Sequence, residues 1–401
     1  MTDVELVELE VADSFERVFP VPVVSADWDD VLDRAGAGHR RRTRTLPRWR
    51  VVAVAAVIVV GALLVTPALG IGSHLLDLIQ GGAPTRPEVR ISSWSPDGRR
   101  IAFVSQRDRG NWELSVVNAN GSGQRKLTRI AGASTPAWSP DGRKVAFEGP
   151  RDGSNNGLYV MNADGSGQRR LARRAHAPAW SPEGRWIAFN WGPKLYVMNA
   201  DGSEHRTLVK SGGGSLRWSP DGRRLAFLSA EGLCNTCFTL HVVNTDGSGL
   251  ESLAAGHSTW NGSHWWEAAP VSDPAWSPDG KKLAFARLDK GFGIYVLKAD
   301  LSGLQRLTRK SSGSYAAPAW SPDGRKIAFA IDRDGDSEVF VMNANGSGQR
   351  NLTRNQADDG DPAWSPDGRK ITFVSDRDGT YEVYVMNADG SGQRRLTHRG
   401  S

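Results

Sequence analysis

The sequence predicts an all-β protein: a seven-bladed β-propeller of four-stranded blades, preceded by a single transmembrane helix and a short cytoplasmic tail. Three observations lead to this prediction. A W-S-P-[DE]-G motif occurs seven times after residue 90, most of its intervals are close to 44 residues, and a nineteen-residue apolar run without charge precedes the first copy. β-rich repeats of about 40–45 residues are typical of propeller blades.

Charge is distributed unevenly along the 401 residues. The formal net charge is +6, but residues 1–50 sum to −2 and residues 82–401 to +9. The charged fraction of 23% is ordinary for an ordered protein and excludes wholesale disorder. With only two cysteines, the chain cannot be a disulfide-framework protein.

The apolar run at 51–69, VVAVAAVIVVGALLVTPAL, is long enough to cross a membrane as a helix. Six arginines lie between residues 40 and 50, on its N-terminal side. Because basic flanks stay in the cytoplasm, the chain is expected to be single-pass in the cytoplasmic membrane, with the N-terminus inside and the propeller outside. A buried core helix and a cleaved signal peptide are the alternatives, although the preceding charged segment is long for a signal peptide.

The predicted domains are a partly helical tail at 1–50, the membrane helix at 51–70, a juxtamembrane linker at 71–89 and the propeller at 90–400. In the tail, apolar residues from Val4 to Val18 recur at helical spacing, and Pro20 ends this pattern. The tail is either a partly ordered extension or a docking peptide for a cytoplasmic protein.

Each repeat divides into four short strands, most clearly at 362–397. The first is Ala-Trp-Ser, and alternating or β-rich stretches at 370–374, 382–386 and 394–397 supply the other three. Ser-Pro-Asp-Gly joins the first two strands and Asn-Ala-Asp-Gly-Ser-Gly the last two, since Pro, Asp and Gly suit tight turns. The motif tryptophans are predicted to be structural and to pack against the next blade: Trp94, Trp138, Trp180, Trp218, Trp276, Trp320 and Trp364.

These repeats resemble those of the TolB family, whose signature contains W-S-P-D-G-x-x-[IL]-A-F and a Y-V-M-[ND]-A-D-G tail that ends in L-T. The resemblance covers 90–397 and implies a WD-repeat-like propeller that serves mainly as an interaction platform outside the cytoplasmic membrane. TolB itself has a small α/β domain before a six-bladed propeller and a cleaved signal. This sequence departs from that pattern with seven repeats and a predicted anchor.

Alternating strands place the loops on two rims. The constant rim carries the W-S-P-[DE]-G and N-A-D-G-S-G turns, and the variable rim carries the second-to-third-strand and blade-to-blade loops. Binding sites usually occupy variable loops on a rigid scaffold. The binding candidates in and beside the longest insertion are Trp260, His264, Trp265, Trp266 and Tyr315, and the alternative is that these aromatics cap their own blade.

Charged residues recur on the variable rim as well. Arg107, Arg151, Arg333 and Arg377 occupy equivalent R-D loops, either as solvated side chains or as a ring that meets an anionic partner. The aspartates at 332, 334 and 336 are spaced like the start of a calcium loop, but the later glycine and glutamate are missing, so no metal and no cofactor are predicted. Cys234 and Cys237 are a disulfide candidate rather than a zinc site.

The expected function is that of a membrane-tethered, extracytoplasmic binding or scaffold module. Its partner would be a protein, a peptide or an anionic envelope polymer on the variable rim, and nucleic acid is excluded by the predicted topology. No G-x-S-x-G nucleophile motif occurs, so the chain is expected not to be an enzyme. The alternatives are a transmembrane sensor with a cytoplasmic docking tail and a propeller lyase that acts on acidic sugars.

Overall fold

The computed structural model describes residues 89–398 except 109–110, 129–131, 150–156, 213, 231–237, 254–270, 289–291, 309–314 and 334–335. The predicted tail, membrane helix and linker up to residue 88 lie outside the described residues. Within the described part, no helix has the length and apolar character needed to span a bilayer. The described residues form strands joined by turns and loops, so the propeller part of the chain is all-β.

In the described chain, the strands form seven four-stranded antiparallel sheets, each made of four consecutive strands. Blade 1 contains β1 (Val89–Trp94), β2 (Arg100–Asp108), β3 (Asn111–Asn118) and β4 (Arg125–Lys126). Blade 2 contains β5 (Ser134–Trp138), β6 (Lys144–Gly149), β7 (Gly157–Asn162) and β8 (Arg169–Arg173). Blade 3 contains β9 (Ala175–Trp180), β10 (Trp186–Trp191), β11 (Lys194–Asn199) and β12 (Arg206–Val209).

The remaining four blades repeat this order. Blade 4 contains β13 (Leu216–Trp218), β14 (Arg224–Ala230), β15 (Phe238–Asn244) and β16 (Glu251–Leu253). Blade 5 contains β17 (Val271–Trp276), β18 (Lys282–Leu288), β19 (Phe292–Lys298) and β20 (Gln305–Arg306). Blade 6 contains β21 (Tyr315–Trp320), β22 (Lys326–Arg333), β23 (Asp336–Asn343) and β24 (Arg350–Asn351). Blade 7 contains β25 (Asp359–Trp364), β26 (Lys370–Ser375), β27 (Glu382–Asn387) and β28 (Arg394–Arg395).

One phenylalanine in the second strand of every blade lies in the core. Each is at most 1% exposed: Phe103, Phe147, Phe189, Phe227, Phe285, Phe329 and Phe373. In blades 2–7 this ring stacks on an aromatic or histidine ring of the third strand, as in the Phe373–Tyr384 pair with centroids 5.6 Å apart. Because a buried aromatic removes about 150–250 Å² from water, these rings supply a large part of the apolar core of blades 2–7.

The motif tryptophans join the blades through a hydrogen bond as well as by packing. In six of the described blades the indole Nε1 donates to a carbonyl of the first strand of the preceding blade, at 3.0–3.2 Å. Trp320, for example, donates to Ala275. This bond therefore runs to the preceding blade, whereas the sequence predicts contact with the next one. The Trp180 Nε1 is buried and has no hydrogen-bond partner in the described structure.

Blade 7 closes on blade 1 through side chains. Trp94 of blade 1 donates to Ala363 of blade 7 at 3.2 Å. The Gln124 side chain makes two bonds with the His398 backbone, at 3.1 and 2.9 Å. A shared apolar cluster packs Phe103 of blade 1 with Val383 and Val385 of β27 and with Leu396, which follows β28. The prediction of a closed seven-bladed ring is thus confirmed, and in the described residues no strand is exchanged between blades.

Candidate functional site

The two turns of each blade meet at the constant rim. In blade 2, Ala163 N donates to Arg143 O at 2.8 Å, which ties the second turn to the first, and the equivalent bond occurs in every described blade. Neighbouring first turns also touch: a Cβ built on Gly98 would lie 3.5 Å from Pro366 Cδ, and one on Gly142 would lie 3.7 Å from Pro96 Cδ. Because both glycines have φ near +66°, the turn requires this residue type. The seven first turns form a closed ring of contacts, here called the collar.

Several predicted site residues fall where no placement is described. Trp260, His264, Trp265, Trp266, Arg151, Cys234 and Cys237 lie outside the described residues. Tyr315 begins β21, Arg107 lies in β2 and Arg333 ends β22, but the side chains of these three are not described. Their proposed roles stay predictions. Within the described chain, no group of three or more His, Cys, Asp or Glu side chains is arranged to hold a metal ion.

Arg377 is the one member of the predicted arginine set whose side chain is described, and it forms an ion pair inside the protein. Its Nη2 donates to both carboxylate oxygens of Asp359 at 3.1 Å. Nε donates to Ser375 Oγ at 2.9 Å and Nη1 to Gln393 Oε1 at 2.7 Å. The guanidinium also lies over the Tyr384 ring, 4.7 Å from its centroid. These bonds hold the Arg377 side chain within blade 7.

Asp359 is the unusual partner in this pair. Its side chain is fully buried, while Arg377 is 22% exposed. Five residues before the motif tryptophan, where blade 7 has Asp359, the other blades have Val89, Ala133, Ala175, Gly213, Val271 and Tyr315. Burying a carboxylate is costly unless it is paired and hydrogen-bonded, so the propeller fold alone does not require this ion pair.

The loop between blades 6 and 7 is fixed by further polar contacts. Ser337 N donates to Asp358 Oδ1 at 3.0 Å and the Tyr381 hydroxyl donates to Asp358 Oδ2 at 2.9 Å. Asn355 N donates to Glu338 Oε1 at 2.7 Å, and the Asn355 amide donates to Asp359. The loop therefore joins two blades through carboxylates rather than apolar contacts.

Tyr384 extends the same network toward the outer strand. Its hydroxyl donates to Asp378, which also pairs with Arg395 at 3.0 Å. Burial, and then the bond to Asp378, raise the pKa of the Tyr384 hydroxyl, so the phenol stays protonated and acts as a donor.

A second pair of polar residues replaces apolar ones between blades 2, 3 and 4. Ten residues after the motif tryptophan, blades 2 and 3 have Glu148 and Asn190, where the other blades have Val104, Leu228, Ala286, Ala330 and Val374. The Glu148 carboxylate accepts from Thr135 Oγ1 at 2.9 Å and from Ala177 N of blade 3 at 2.6 Å. Asn190 Nδ2 donates to Gly214 O at 2.9 Å, while its buried Oδ1 has no partner in the described structure.

Blade 4 contains a buried serine–histidine arrangement. His241 occupies the position that holds Tyr or Phe in blades 2, 3, 5, 6 and 7, and its ring stacks on Phe227 with centroids 4.8 Å apart. Ser229 Oγ lies 2.6 Å from His241 Nε2, and Ser252 Oγ lies 2.7 Å from Nδ1. A serine beside a histidine is the core of nucleophilic sites, but Ser229 and His241 are only 1% and 3% exposed. The group therefore acts as a packed polar substitute for the usual aromatic pair.

The polar residues that replace apolar ones in blades 2, 3 and 7 all lie near the variable rim. Asp359 begins its strand, Glu148 and Asn190 lie near the ends of theirs, and all three are in the half of the blade next to the variable rim. The signal that could have revealed them is a charged or amide residue at an otherwise apolar repeat position. In the described first strands, histidine occurs once, at His176.

Basic residues of the repeat also have a structural role that their spacing did not reveal. Arginines of the second and fourth strands donate to backbone carbonyls of the following blade, which joins neighbouring blades. These bonds are Arg100 to Ala163 (3.3 Å), Arg224 to Ala299 (2.9 Å), Arg125 to Asp164 (2.7 Å), Arg169 to Asp201 (3.0 Å) and Arg394 to Ala119 (2.9 Å).

Comparison with known proteins agrees with the repeat pattern. A family model described as the TolB beta propeller domain matches residues 88–190 and 236–401. These two segments together make up more than half of the chain. Among curated proteins, no match is found.

Solved structures show the same fold in proteins of different kinds. A puromycin-hydrolyzing peptidase of Mycobacterium tuberculosis is 14% identical, with 78% of this chain and 53% of that chain covered and a TM-score of 0.62. The β-propeller domain of the trilobed protease of Pyrococcus furiosus, described as having an open velcro topology, is 11% identical, with 79% and 100% covered and a TM-score of 0.58. The oligogalacturonate lyase of Vibrio parahaemolyticus is 15% identical, with 76% and 92% covered and a TM-score of 0.56. At these identities the likeness shows the fold alone.

Proposed function

Because the chain belongs to the TolB β-propeller domain family, we propose that it is a membrane-tethered, extracytoplasmic binding or scaffold module. Its variable rim would recognise a protein, a peptide or an anionic envelope polymer. The tether would be the apolar segment at 51–70, and the partner would be met outside the cytoplasmic membrane.

One observation above all supports the variable rim as the binding surface. The constant rim is built from the same turns and the same backbone bonds in every described blade. The polar substitutions at Glu148, Asn190 and Asp359 instead lie in the variable half of single blades. Asn190 and Asp359 are buried, so they mark where the blades differ and do not themselves contact a partner. A rigid repeated scaffold with departures on one rim is the arrangement that repeat proteins use for binding.

A catalytic role is less well supported. Structural neighbours include a lyase and peptidases, but their identity to this chain is 15% or less. The Ser229–His241 pair is buried, so a substrate could not reach the hydroxyl without opening the blade. A binding role requires no such opening.

The experiment is a ligand screen on the full chain with peptides and anionic glycans, followed by variants of the variable rim. Replacing Trp265 and Trp266 by Ala should weaken binding by at least about tenfold if they anchor the partner, because tryptophans are prominent among the residues that dominate interfaces. Thermal stability should stay unchanged. Trp320→Ala is the matched control: it should lower stability by about 3–5 kcal/mol, since it empties a blade interface. A double variant that binds like the wild type, or one that unfolds as readily as the control, would contradict the proposal.

A further inference from the structure

The constant rim carries a basic residue at the same place in all seven blades. It directly follows the glycine of the collar turn and is exposed in each case: Arg99, Arg143, Arg185, Arg223, Lys281, Arg325 and Arg369. In the described structure none of these side chains makes an ion pair or a hydrogen bond, although the Arg185 guanidinium lies 4.8 Å from the centroid of the Trp186 ring. Seven cations are therefore available to a ligand at one rim.

In six of the seven blades the backbone of the cation is held on both sides, and in blade 3 the described contact is the one that Arg185 O accepts from Ala200 N at 2.9 Å. In blade 2, Arg143 N donates to Asp141 Oδ1 at 3.0 Å and Arg143 O accepts from Ala163 N at 2.8 Å. The same two contacts recur in blade 7, where Arg369 N donates to Asp367 at 3.1 Å and Arg369 O accepts from Ala388 N at 2.9 Å. Because the backbone is fixed, a ligand needs to order only the flexible end of each side chain.

The nearby carboxylates belong to the turns. Asp141 accepts from Ser139 Oγ at 2.6 Å as well as from Arg143 N. These two bonds hold the pKa of the Asp141 carboxyl below its usual value. Asp141 Oδ1 is thus occupied inside the turn, and Asp141 makes no ion pair with the Arg143 guanidinium in the described structure. The cations remain unpaired beside their acidic neighbours.

Contacts between collar turns fix the cations in a circle. Each collar glycine lies against the proline of the preceding turn, and Gly98 against Pro366 completes the ring. The basic residues that follow these glycines therefore lie in a circle on the constant rim, one in each blade. An arrangement of repeated charges suits a ligand with repeated charges, because each further contact is made at high effective concentration.

We propose that the collar cations bind a linear polyanion whose charges lie along its backbone, a polyphosphate-type chain. Nucleic acid fits this rim less well, because bases bind best by stacking on exposed aromatic rings. In the described chain the exposed tryptophan is Trp191, at 41%, and it ends the second strand of its blade at the variable rim. The proposal concerns the rim opposite the one assigned to the partner above and does not depend on that assignment.

The test uses the full chain in non-ionic detergent and a fluorescent linear polyphosphate of defined length. The collar variant is Lys281→Gln, Arg325→Gln and Arg369→Gln in one chain. The matched control is Arg173→Gln, Lys194→Gln and Lys210→Gln, three exposed cations next to the variable rim. Both variants lower the net charge by three, so they differ only in where the charge is removed. Thermal midpoints check that both remain folded.

The collar variant is expected to bind polyphosphate about tenfold more weakly, since each exposed charge pair contributes a few-fold. The slope of log affinity against log salt should fall by roughly two to three units, one for each phosphate that is no longer neutralised by a cation. The control should change affinity by less than about twofold, well below the effect of the three collar cations. Orthophosphate at equal phosphate concentration should not compete, because it cannot bridge several cations.

Four results would overturn the proposal. Equal decreases in affinity in both triple variants would mean that the polymer senses net charge only. If anionic lipid in the micelles displaces the probe as effectively as unlabelled polyphosphate does, the rim would be assigned to a membrane surface. Single-stranded DNA of equal charge that binds more tightly would point to base recognition. Absence of measurable binding at low salt would remove the site altogether.

Discussion

The tryptophan hydrogen bond between blades can be isolated by comparing two blades that differ in it. Trp320 Nε1 donates to Ala275 O at 3.1 Å, whereas Trp180 Nε1 is buried with no partner in the described structure. Both indoles are half-buried at equivalent positions. Replacing each by Phe removes similar apolar area, so the area contribution largely cancels in the difference between the variants.

The remaining difference is the hydrogen bond. Trp320→Phe loses a net contribution of about 1 kcal/mol and leaves a half-buried carbonyl without its donor, which together cost about 1–2 kcal/mol. Trp180→Phe removes an N–H group that is already unsatisfied, so it loses nothing of this kind. For a domain of this size, about 1 kcal/mol corresponds to roughly 1.5 °C in Tm, and the two variants should differ by about 1.5–3 °C.

Thermal unfolding of the full chain, followed by circular dichroism and repeated in urea, measures the comparison. Trp320→Phe is expected to unfold first in both assays. Equal midpoints would show that the inter-blade hydrogen bond contributes nothing beyond packing. A Trp180→Phe variant that unfolds first would mean that the indole N–H of blade 3 is satisfied in solution.

Three further predictions concern single interactions. Asp359→Ala leaves a partly exposed guanidinium without its carboxylate and should cost about 2–3 kcal/mol in urea unfolding; adding Arg377→Met to the same chain should recover part of the loss, and no recovery would refute the ion-pair account. The hydrogen bond from Ser365 holds the pKa of the Asp367 carboxyl below its usual value. The ionised carboxyl therefore contributes to the stability of the fold above the unfolded pKa, and this contribution is lost as pH falls through the folded pKa. Ser365→Ala should therefore lose less stability than the wild type between about pH 5 and about pH 3, and a steeper loss would reverse the assigned sign. Gly346→Ala should cost more than about 1 kcal/mol because φ is +86° and the new Cβ would lie 2.7 Å from Leu307 O; Gly360→Ala, with no atom within 4 Å, is the control in the same thermal assay.

The fold could be predicted from the sequence because seven copies carry the same signal. A single Ser-Pro-Asp-Gly turn indicates only a hairpin, but its recurrence with alternating strands on either side defines a four-stranded unit and its number. The direction of the tryptophan hydrogen bond could not be predicted. It depends on how the first strands of neighbouring blades lie against each other, and in the structure Trp138 reaches back to Ser93 at 3.1 Å.

The candidate site was less predictable for a related reason. Arg377 resembles three other arginines in sequence, and its spacing does not show that a carboxylate eighteen residues earlier is buried against it. Asp359 and Glu148 were visible as acidic residues at apolar repeat positions, and Asn190 as an amide at such a position. The insertion that carries Trp265 has no counterpart in the other repeats, so periodicity gives no structural information about it.

The way each polar substitution is compensated explains why such residues gather on one rim. At the constant rim a turn is bonded to its own blade and touches its neighbour, so a change there would disturb two blades at once. Near the variable rim, the Asp359 carboxylate pairs with Arg377 within blade 7. The Glu148 carboxylate accepts hydrogen bonds from β5 of its own blade and from β9 of blade 3. Asn190 is balanced only in part, since its Oδ1 lacks a donor in the described structure. A buried group of that kind costs about 1–3 kcal/mol, and an apolar residue stands there in five other blades. The bond from Asn190 Nδ2 to Gly214 O offsets part of that cost, because it joins blade 3 to the segment that leads into blade 4.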